Sequence, residues 1–340
     1  MIWKVGIAGF ILGSVVACCM LAAYSYANPQ PTFRALRESD IPSSSGYTFT
    51  DPIIGLTSGT NNNAPEYAQL QKKITDYIAA QKQSGLMMAS VKFGDVEAAE
   101  GFTINPDATY APASLTKVPL VMAYYQLAEE DASILSQGIF YSGEPDLDAS
   151  EQIKSAVQLV PGRTYTVAEM IEHMIRYSDN NAEQLLANHL SSIGKLDTLT
   201  TLFADLGIKI NPDNPDYMTV QSYSLFLRVL FNATFLDRNY SEKLLQLLSQ
   251  SDFTAGIRAG VPSSIAVAAK FGDARIPDSQ GNIIGAELQN CGIVYYPDHP
   301  YNLCIMTKGS SITDLERIIS AVSQLIYNEV QSRYPVPAQK

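Results

Sequence analysis

The stretch SLTKVPLVMAYY, residues 114–125, decides how this chain folds and where its chemistry lies. Ser114 and Lys117 stand three positions apart at the start of a predicted helix, so the hydroxyl and the ammonium face the same side about one turn apart. A serine needs a base to attack a carbonyl, and a partly desolvated lysine can lose its proton near neutral pH. The helix N-terminus adds N–H groups that can stabilise an oxyanion. We therefore predict that Ser114 is a nucleophile and Lys117 its base.

Spacing alone does not identify a nucleophile, because Ser192-Ile193-Gly194-Lys195 repeats the same pattern. That second copy runs into Gly-Lys, which is typical of the C-terminal end of a helix. We predict that the copy at Ser114 carries the chemistry and that the copy at Ser192 is a cap region.

Ser178-Asp179-Asn180 forms a second motif, on a short connection between two predicted helices. The preceding helix begins with a capping box, Thr166 to Glu169. Side chains on such a connection can project into a cleft, although these residue types also favour ordinary turns.

Lys270-Phe271-Gly272 forms a third motif, at the end of a predicted strand over residues 265–271. A lysine that closes an edge-like strand is most often a solvated terminus. The glycine would let a ligand approach the backbone closely.

The predicted elements point to an α+β fold whose antiparallel sheet is flanked by the N- and C-terminal helices, with an all-helical lobe inserted between strands. A cleft between lobes is a usual place for a small-molecule site. The elements are a helix that ends near Gly85, strands 86–93 and 98–104 with a turn at Gly94-Asp95, a helical block from 114 to about 250, strands 265–271, 285–296 and 302–307, and a helix over 313–334.

Four segments organise the chain. Residues 1–27 place one lysine ahead of a long uncharged apolar run, which is typical of a signal peptide or a membrane anchor, with a lipoprotein signal as a third option. Residues 28–63 are rich in Pro, Ser, Gly, Thr and Asn and predict a flexible linker. Residues 64–334 form the folded domain, and residues 335–340 a tail. Each of the three leader types places the domain outside the cytoplasm.

Composition excludes some function classes. The net charge is −11, so a nucleic-acid partner is not expected. Three histidines that do not cluster with cysteines give no support for a metal site. We expect no cofactor, contact with a membrane only through the N-terminal segment, and a monomer. Outside that segment the cysteines are Cys291 and Cys304, which flank a predicted hairpin and could be bonded or remain buried thiols.

The three motifs in this order resemble those of class A β-lactamases and penicillin-binding proteins, and the resemblance covers roughly residues 64–334. It implies a β-lactamase/transpeptidase-like fold in which Ser114 attacks a carbonyl and Lys117 takes its proton. It also implies that Ser178 relays a proton to the leaving nitrogen and that Asn180 holds the substrate amide.

The third motif has the remaining implied roles. Lys270 would attract a substrate carboxylate, and the residue after Gly272, Asp273, would share the oxyanion hole with the nucleophile. The family usually has Thr or Ser where this chain has Phe271, so one hydroxyl expected to hold the substrate carboxylate is missing.

A second departure from the family pattern concerns hydrolysis. Class A enzymes carry a loop with the pattern Glu-x-x-Leu-Asn, whose glutamate activates the hydrolytic water. Between Gly207 and Thr219 this chain has only IKINPDNPDYM, without a glutamate. Asp213 and Asp216 are interpreted as turn residues rather than as substitutes.

Three functions fit the sequence. The first is a serine hydrolase that is acylated by β-lactams and turns over slowly. The second is a D,D-peptidase that acts on cell-wall peptides, and the third is a catalytically silent binding domain with the same fold.

Overall fold

The computed structural model describes residues 46–51, 63–95, 100–149, 151–155, 157–210 and 214–336. The predicted leader, most of the predicted linker and most of the predicted tail lie outside these residues. Within them, no helix has both the length and the hydropathy that crossing a bilayer requires. The described residues form two compact units: unit 1 holds residues 112–217, and unit 2 holds the remaining described residues.

Eight α-helices and seven strands occur among the described residues. The helices are α1 (Ala68–Gln81), α2 (Lys117–Glu130), α3 (Val167–Arg176), α4 (Asn180–Ser192), α5 (Asp197–Asp205), α6 (Val220–Phe231), α7 (Arg238–Ser249) and α8 (Ile312–Arg333). The strands are β1 (Leu86–Asp95), β2 (Gly101–Ile104), β3 (Gly138–Tyr141), β4 (Arg163–Thr166), β5 (Val267–Pro277), β6 (Ile283–Val294) and β7 (Tyr301–Gly309).

Unit 2 is built on a five-stranded sheet in the order β2-β1-β7-β6-β5, in which every neighbouring pair is antiparallel. Helix α8 packs on β6 and β7, and α1 contacts α8. The apolar faces predicted for both terminal helices are buried. The α+β class and the sheet flanked by the first and last helices are therefore confirmed.

Two predicted boundaries in the sheet are wrong. β1 continues through Asp95, so the chain does not turn at Gly94-Asp95. Gly94 pairs instead with Gly101, where a Cβ would lie 2.1 Å from the carbonyl oxygen of Phe93. Gly101 is therefore the glycine that close strand approach requires, and Gly94 lies within the ladder and not in a turn. β5 likewise extends to Pro277, which puts Lys270-Phe271-Gly272 inside the strand and not at its end.

Unit 1 carries α2 to α5. The prediction that this lobe is all helical is wrong. β3 and β4 form a two-stranded antiparallel sheet ahead of α3. The Thr166–Glu169 capping box at the start of α3 is present as predicted. Its hydrogen bonds fix the point where β4 gives way to the helix.

A short part of the predicted linker is bonded to α7 in unit 2. The Glu242 carboxylate accepts hydrogen bonds from the backbone N–H groups of Thr48, Phe49 and Thr50, at 2.6 to 3.0 Å. Arg238, one turn earlier on the helix, donates to the carbonyl oxygen of Thr50. Residues 46–51 are therefore attached to the folded domain.

Candidate active site

Ser114 and Lys117 are in direct contact in unit 1. Ser114 lies in a 3-10 turn (Ala113–Thr116) that leads straight into α2, and Lys117 Nζ donates to Ser114 Oγ at 2.8 Å. Ala113 has φ +46, a conformation that non-glycine residues adopt at a cost of order 1–3 kcal/mol. The backbone is thus strained immediately before the serine. The contact that the spacing predicted is present in the structure.

Three further oxygens surround the Lys117 ammonium, and all belong to the second motif. Lys117 Nζ lies 2.5 Å from the carbonyl oxygen of Ser178, 2.6 Å from Asn180 Oδ1 and 3.3 Å from Ser178 Oγ. Ser178 has φ +57, so its backbone is also in the left-handed region. The Ser-Asp-Asn connection between α3 and α4 therefore binds Lys117 next to Ser114.

Asp179, the middle residue of the motif, has a structural role that the sequence did not predict. Its Oδ1 accepts from the N–H of Ala182 and caps α4, and its Oδ2 accepts from the N–H of Leu159 at 3.0 Å. One buried carboxylate thus joins the connection to the segment before β4. His173 Nδ1 lies 3.9 Å from the same carboxylate, and burial lowers the pKa of His173.

Asp148 supports the same connection from the other side and was also missed. Its Oδ1 accepts from the N–H of Asn180 at 2.9 Å, and its Oδ2 accepts from Asn181 Nδ2 at 2.8 Å. Burial, together with the nearby Asp179 charge, raises the pKa of Asp148 to about 6. Since the residue lies far back in the sequence and in no motif, no local pattern signals it.

The amide of Asn180 is oriented by two neighbours. Its oxygen accepts from Lys117, and its nitrogen donates to the Glu151 carboxylate. The side chain predicted to hold a substrate amide is therefore oriented with its oxygen toward Lys117.

Another carboxylate next to Lys117 belongs to Glu183. Its Oε1 accepts from Thr116 Oγ1 at 2.8 Å, and its Oε2 lies 3.7 Å from Lys117 Nζ. Glu183 follows Asn180 by three residues on α4, so helical spacing alone could have placed both side chains on one face.

In unit 2 the third motif lies on edge strand β5. Lys270 is 1% exposed, which rules out the solvated terminus considered from the sequence. Its Nζ lies 3.2 Å from the carbonyl oxygen of Phe271 and 4.3 Å from the centroid of that ring. Phe271 stacks on Phe253 at 4.2 Å. Gly272 and Asp273 follow on the same strand and pair with Gln289 and Leu288 of β6.

Lys270 shares a sheet face with a disulfide bond. Lys270 pairs with Cys291, and Cys291 pairs with Cys304 on β7. Residues paired directly across strands point to the same face. The structure joins the two cysteines, both fully buried, and so decides between the two states that the sequence left open.

Residues 208–210 and 214–218, the described part of the shortened loop, offer no clear base. Asp213 lies outside the described residues. The N–H of Asp216 donates to Asn214 Oδ1 at 3.0 Å, a contact of the kind that closes a turn. Within the described part of the chain, no group of three or more His, Cys, Asp or Glu side chains is arranged to hold a metal ion.

Comparisons with known proteins agree with the motifs. PBP-A aligns with a TM-score of 0.64 and 20% identity, over 84% of this chain and 100% of that one. A PBP-A mutant in an acyl-enzyme complex with penicillin G aligns with a TM-score of 0.62 and 21% identity, over 78% and 97% of the two chains. At this identity the two likenesses show a common fold.

The sequence comparisons identify the family. β-Lactamase CTX-M-8 of Citrobacter amalonaticus is 24% identical over 236 residues, which are 66% of this chain and 78% of that protein. The model of the β-lactamase enzyme family matches residues 69–330. Because that match spans most of the chain, the protein belongs to the β-lactamase enzyme family.

Proposed function

We propose that this protein is an exported serine hydrolase that β-lactams acylate at Ser114. The observation that carries the proposal is the 2.8 Å contact between Lys117 Nζ and Ser114 Oγ, with Lys117 bound by Ser178 and Asn180 as well. A nucleophile already in hydrogen-bond contact with its base is the arrangement that acyl transfer needs. The acyl-enzyme complex of a PBP-A mutant with penicillin G supports a β-lactam as the acylating ligand.

This geometry supports the proposed acylation, in which Lys117 acts as the base. Ser114 Oγ attacks the lactam carbonyl carbon while its proton passes to neutral Lys117. The lactam C–N bond then breaks, and the nitrogen receives a proton through Ser178, whose Oγ lies 3.3 Å from Lys117 Nζ. By resemblance, Asn180 binds the substrate amide, and Lys270, Gly272 and Asp273 bind the carboxylate end of the substrate.

Labelling with a fluorescent penicillin tests the proposal. We expect the wild type to be labelled and Ser114→Ala to remain unlabelled. Ser192→Ala is the matched control, because it removes the serine of the other Ser-x-x-Lys copy, which lies at the end of α4. An unlabelled wild type would refute acylation, and equal labelling of Ser114→Ala would refute the assignment of the nucleophile.

We further propose that the acyl-enzyme persists. The support is the loop between Gly207 and Thr219, which lacks the glutamate that activates water in class A enzymes. Intact-mass spectrometry after mixing with a β-lactam should show the adduct on Ser114 for many minutes. Rapid loss of the lactam absorbance with no retained adduct would contradict slow turnover.

The proposed location is outside the cytoplasm, with the N-terminal segment as signal or anchor. The Cys291–Cys304 bond supports it, since structural disulfides persist mainly in oxidising compartments. Cell fractionation tests the location. Trp3 is the only tryptophan, so protein cleaved after residue 27 should lack tryptophan fluorescence.

A D,D-peptidase is the second candidate, and the missing loop glutamate favours it as well. Release of D-alanine from a cell-wall peptide, measured beside loss of lactam absorbance, separates the two activities. A domain that does neither and takes no label would be a silent binding domain.

A further inference from the structure

Lys117 is fully buried, so it cannot exchange protons with solvent directly. Its side chain is 0% exposed, yet it must be neutral when it takes the Ser114 proton. We propose that Glu183 is the positioning residue that accepts the Lys117 proton and exchanges it with solvent. This role rests on the proposed acylation of Ser114.

The geometry of Glu183 fits a proton acceptor. Among the described carboxylates, Glu183 alone lies within 4.0 Å of Lys117 Nζ, at 3.7 Å through Oε2. Its other oxygen is held by Thr116, the residue before the lysine, at 2.8 Å. The ion pair must close by about 1 Å, or take in one water, to become a hydrogen bond, and such tightening on substrate binding is common at catalytic sites.

Glu183 and Lys117 differ in solvent exposure. The Glu183 side chain is 28% exposed, whereas Lys117 has no contact with solvent. A proton that leaves Lys117 therefore reaches water through a group that touches both. Because Glu183 lies on α4 and not on a loop, its position is fixed by the helix.

Other charged groups near the lysine are committed elsewhere. Asp148 accepts from the backbone of Asn180 and from Asn181. Asp179 uses both oxygens on backbone N–H groups. Glu151 accepts from the Asn180 amide. Their charges act on Lys117 through space, but each of these carboxylates is tied to the scaffold.

The proton balance is closed. One Nζ–H of the Lys117 ammonium moves to Glu183 Oε2, which leaves a neutral amine and a carboxylic acid. The amine then accepts the Ser114 proton as Oγ attacks and passes it through Ser178 to the leaving nitrogen. Glu183 finally returns its proton to the neutral Lys117 amine, which restores the starting ammonium and carboxylate.

The pH dependence of acylation tests this role. In the wild type the transfer from Lys117 to Glu183 leaves the proton count of the pair unchanged, so the labelling rate should be flat between about pH 6 and about pH 8. In Glu183→Gln the proton must leave for solvent. The rate should fall about 30-fold at neutral pH and rise about tenfold per pH unit across that range. Glu183→Asp should restore most of the flat region.

Glu172→Gln is the matched control, since it removes one negative charge and an ion pair with Arg176 from the same unit. It should leave both rate and profile unchanged. If Glu183→Gln keeps the wild-type profile, at an equal or uniformly lower rate, Glu183 is at most structural and the proposal fails. If the wild type is unlabelled at every pH, acylation at Ser114 fails first and this role fails with it.

Discussion

Asn180 Oδ1 accepts a hydrogen bond from Lys117 Nζ at 2.6 Å, while the backbone N–H of the same asparagine donates to Asp148. Asn180 thus connects Lys117 of α2 to the buried carboxylate of Asp148. The side chain and the backbone of Asn180 serve different purposes, so substitution can separate them.

Replacing the Asn180 side chain should impair acylation but not folding. Asn180→Ala removes an acceptor from Lys117 and keeps the backbone bond to Asp148. We expect the rate of labelling by a fluorescent penicillin to fall at least about tenfold, with little change in Tm. Asn188→Ala, an exposed position on the same helix, should match the wild type. Equal rates in the two variants would show that the Asn180 amide does not position the base.

Asp179→Ala should destabilise the protein. The variant loses the α4 cap, worth about 1 kcal/mol, and leaves the buried N–H of Leu159 without its acceptor, at about 1–3 kcal/mol. We expect the free energy of unfolding in urea to drop by about 2–4 kcal/mol. Thr219→Ala, which removes the cap of α6 and a hydroxyl contact with Ser222, should cost about 1 kcal/mol. If Asp179→Ala costs no more than Thr219→Ala, the hydrogen bond from Leu159 to Asp179 does not stabilise the fold.

Asp148 should make stability depend on pH in the direction opposite to an ordinary surface carboxylate. Burial and Asp179 raise its pKa in the folded protein to about 6, against about 4 in the unfolded chain. The folded state therefore binds more protons between these values, and stability falls as pH rises through them. Relative to Asp148→Asn, the wild type should lose about 2–3 kcal/mol between about pH 4 and pH 6. Urea midpoints that change with pH in the same way for the wild type and for Asp148→Asn would contradict the raised pKa of Asp148.

Reduction of the Cys291–Cys304 bond should lower stability. The cross-link joins residues 13 apart and lies fully buried between β6 and β7. Its loss should cost about 2–3 kcal/mol, seen as a lower Tm in reductant. The double variant Cys291→Ala/Cys304→Ala should unfold at one temperature with or without reductant. Non-reducing peptide mapping that finds two free thiols would disprove the bond.

Glu242 should hold residues 46–51 against α7. Glu242→Ala removes the acceptor of three backbone N–H groups. Chymotrypsin should then cleave after Tyr47 or Phe49 at least about tenfold faster, because cleavage follows local opening. Gln246→Ala, one turn further along the helix and exposed, is the control and should resist like the wild type. Unchanged cleavage would mean that other contacts hold the segment.

The order of the three motifs was enough to predict the family, and the order of the predicted helices and strands was enough to predict the α+β class. The helical spacing of Ser114 and Lys117 was enough to predict their contact. The second motif was placed correctly on a helix connection because its capping signals are local. The strand ends were not predicted correctly. Gly94 is typical of a turn, but it pairs with β2 and β7, and those pairings are not visible in the local sequence. The two-stranded sheet of unit 1 was missed for the same reason.

The sequence by itself predicted the contact between Ser114 and Lys117, because a hydroxyl and an ammonium one helical turn apart are brought together by the local backbone alone. Only the tertiary structure decided what surrounds Lys117. Asp148 and Glu151 reach Asn180, and Glu183 reaches Lys117, from positions with no fixed spacing to Ser114. Cys291 meets Cys304 through strand register. Such contacts depend on how distant segments pack, and no local sequence pattern predicts that packing.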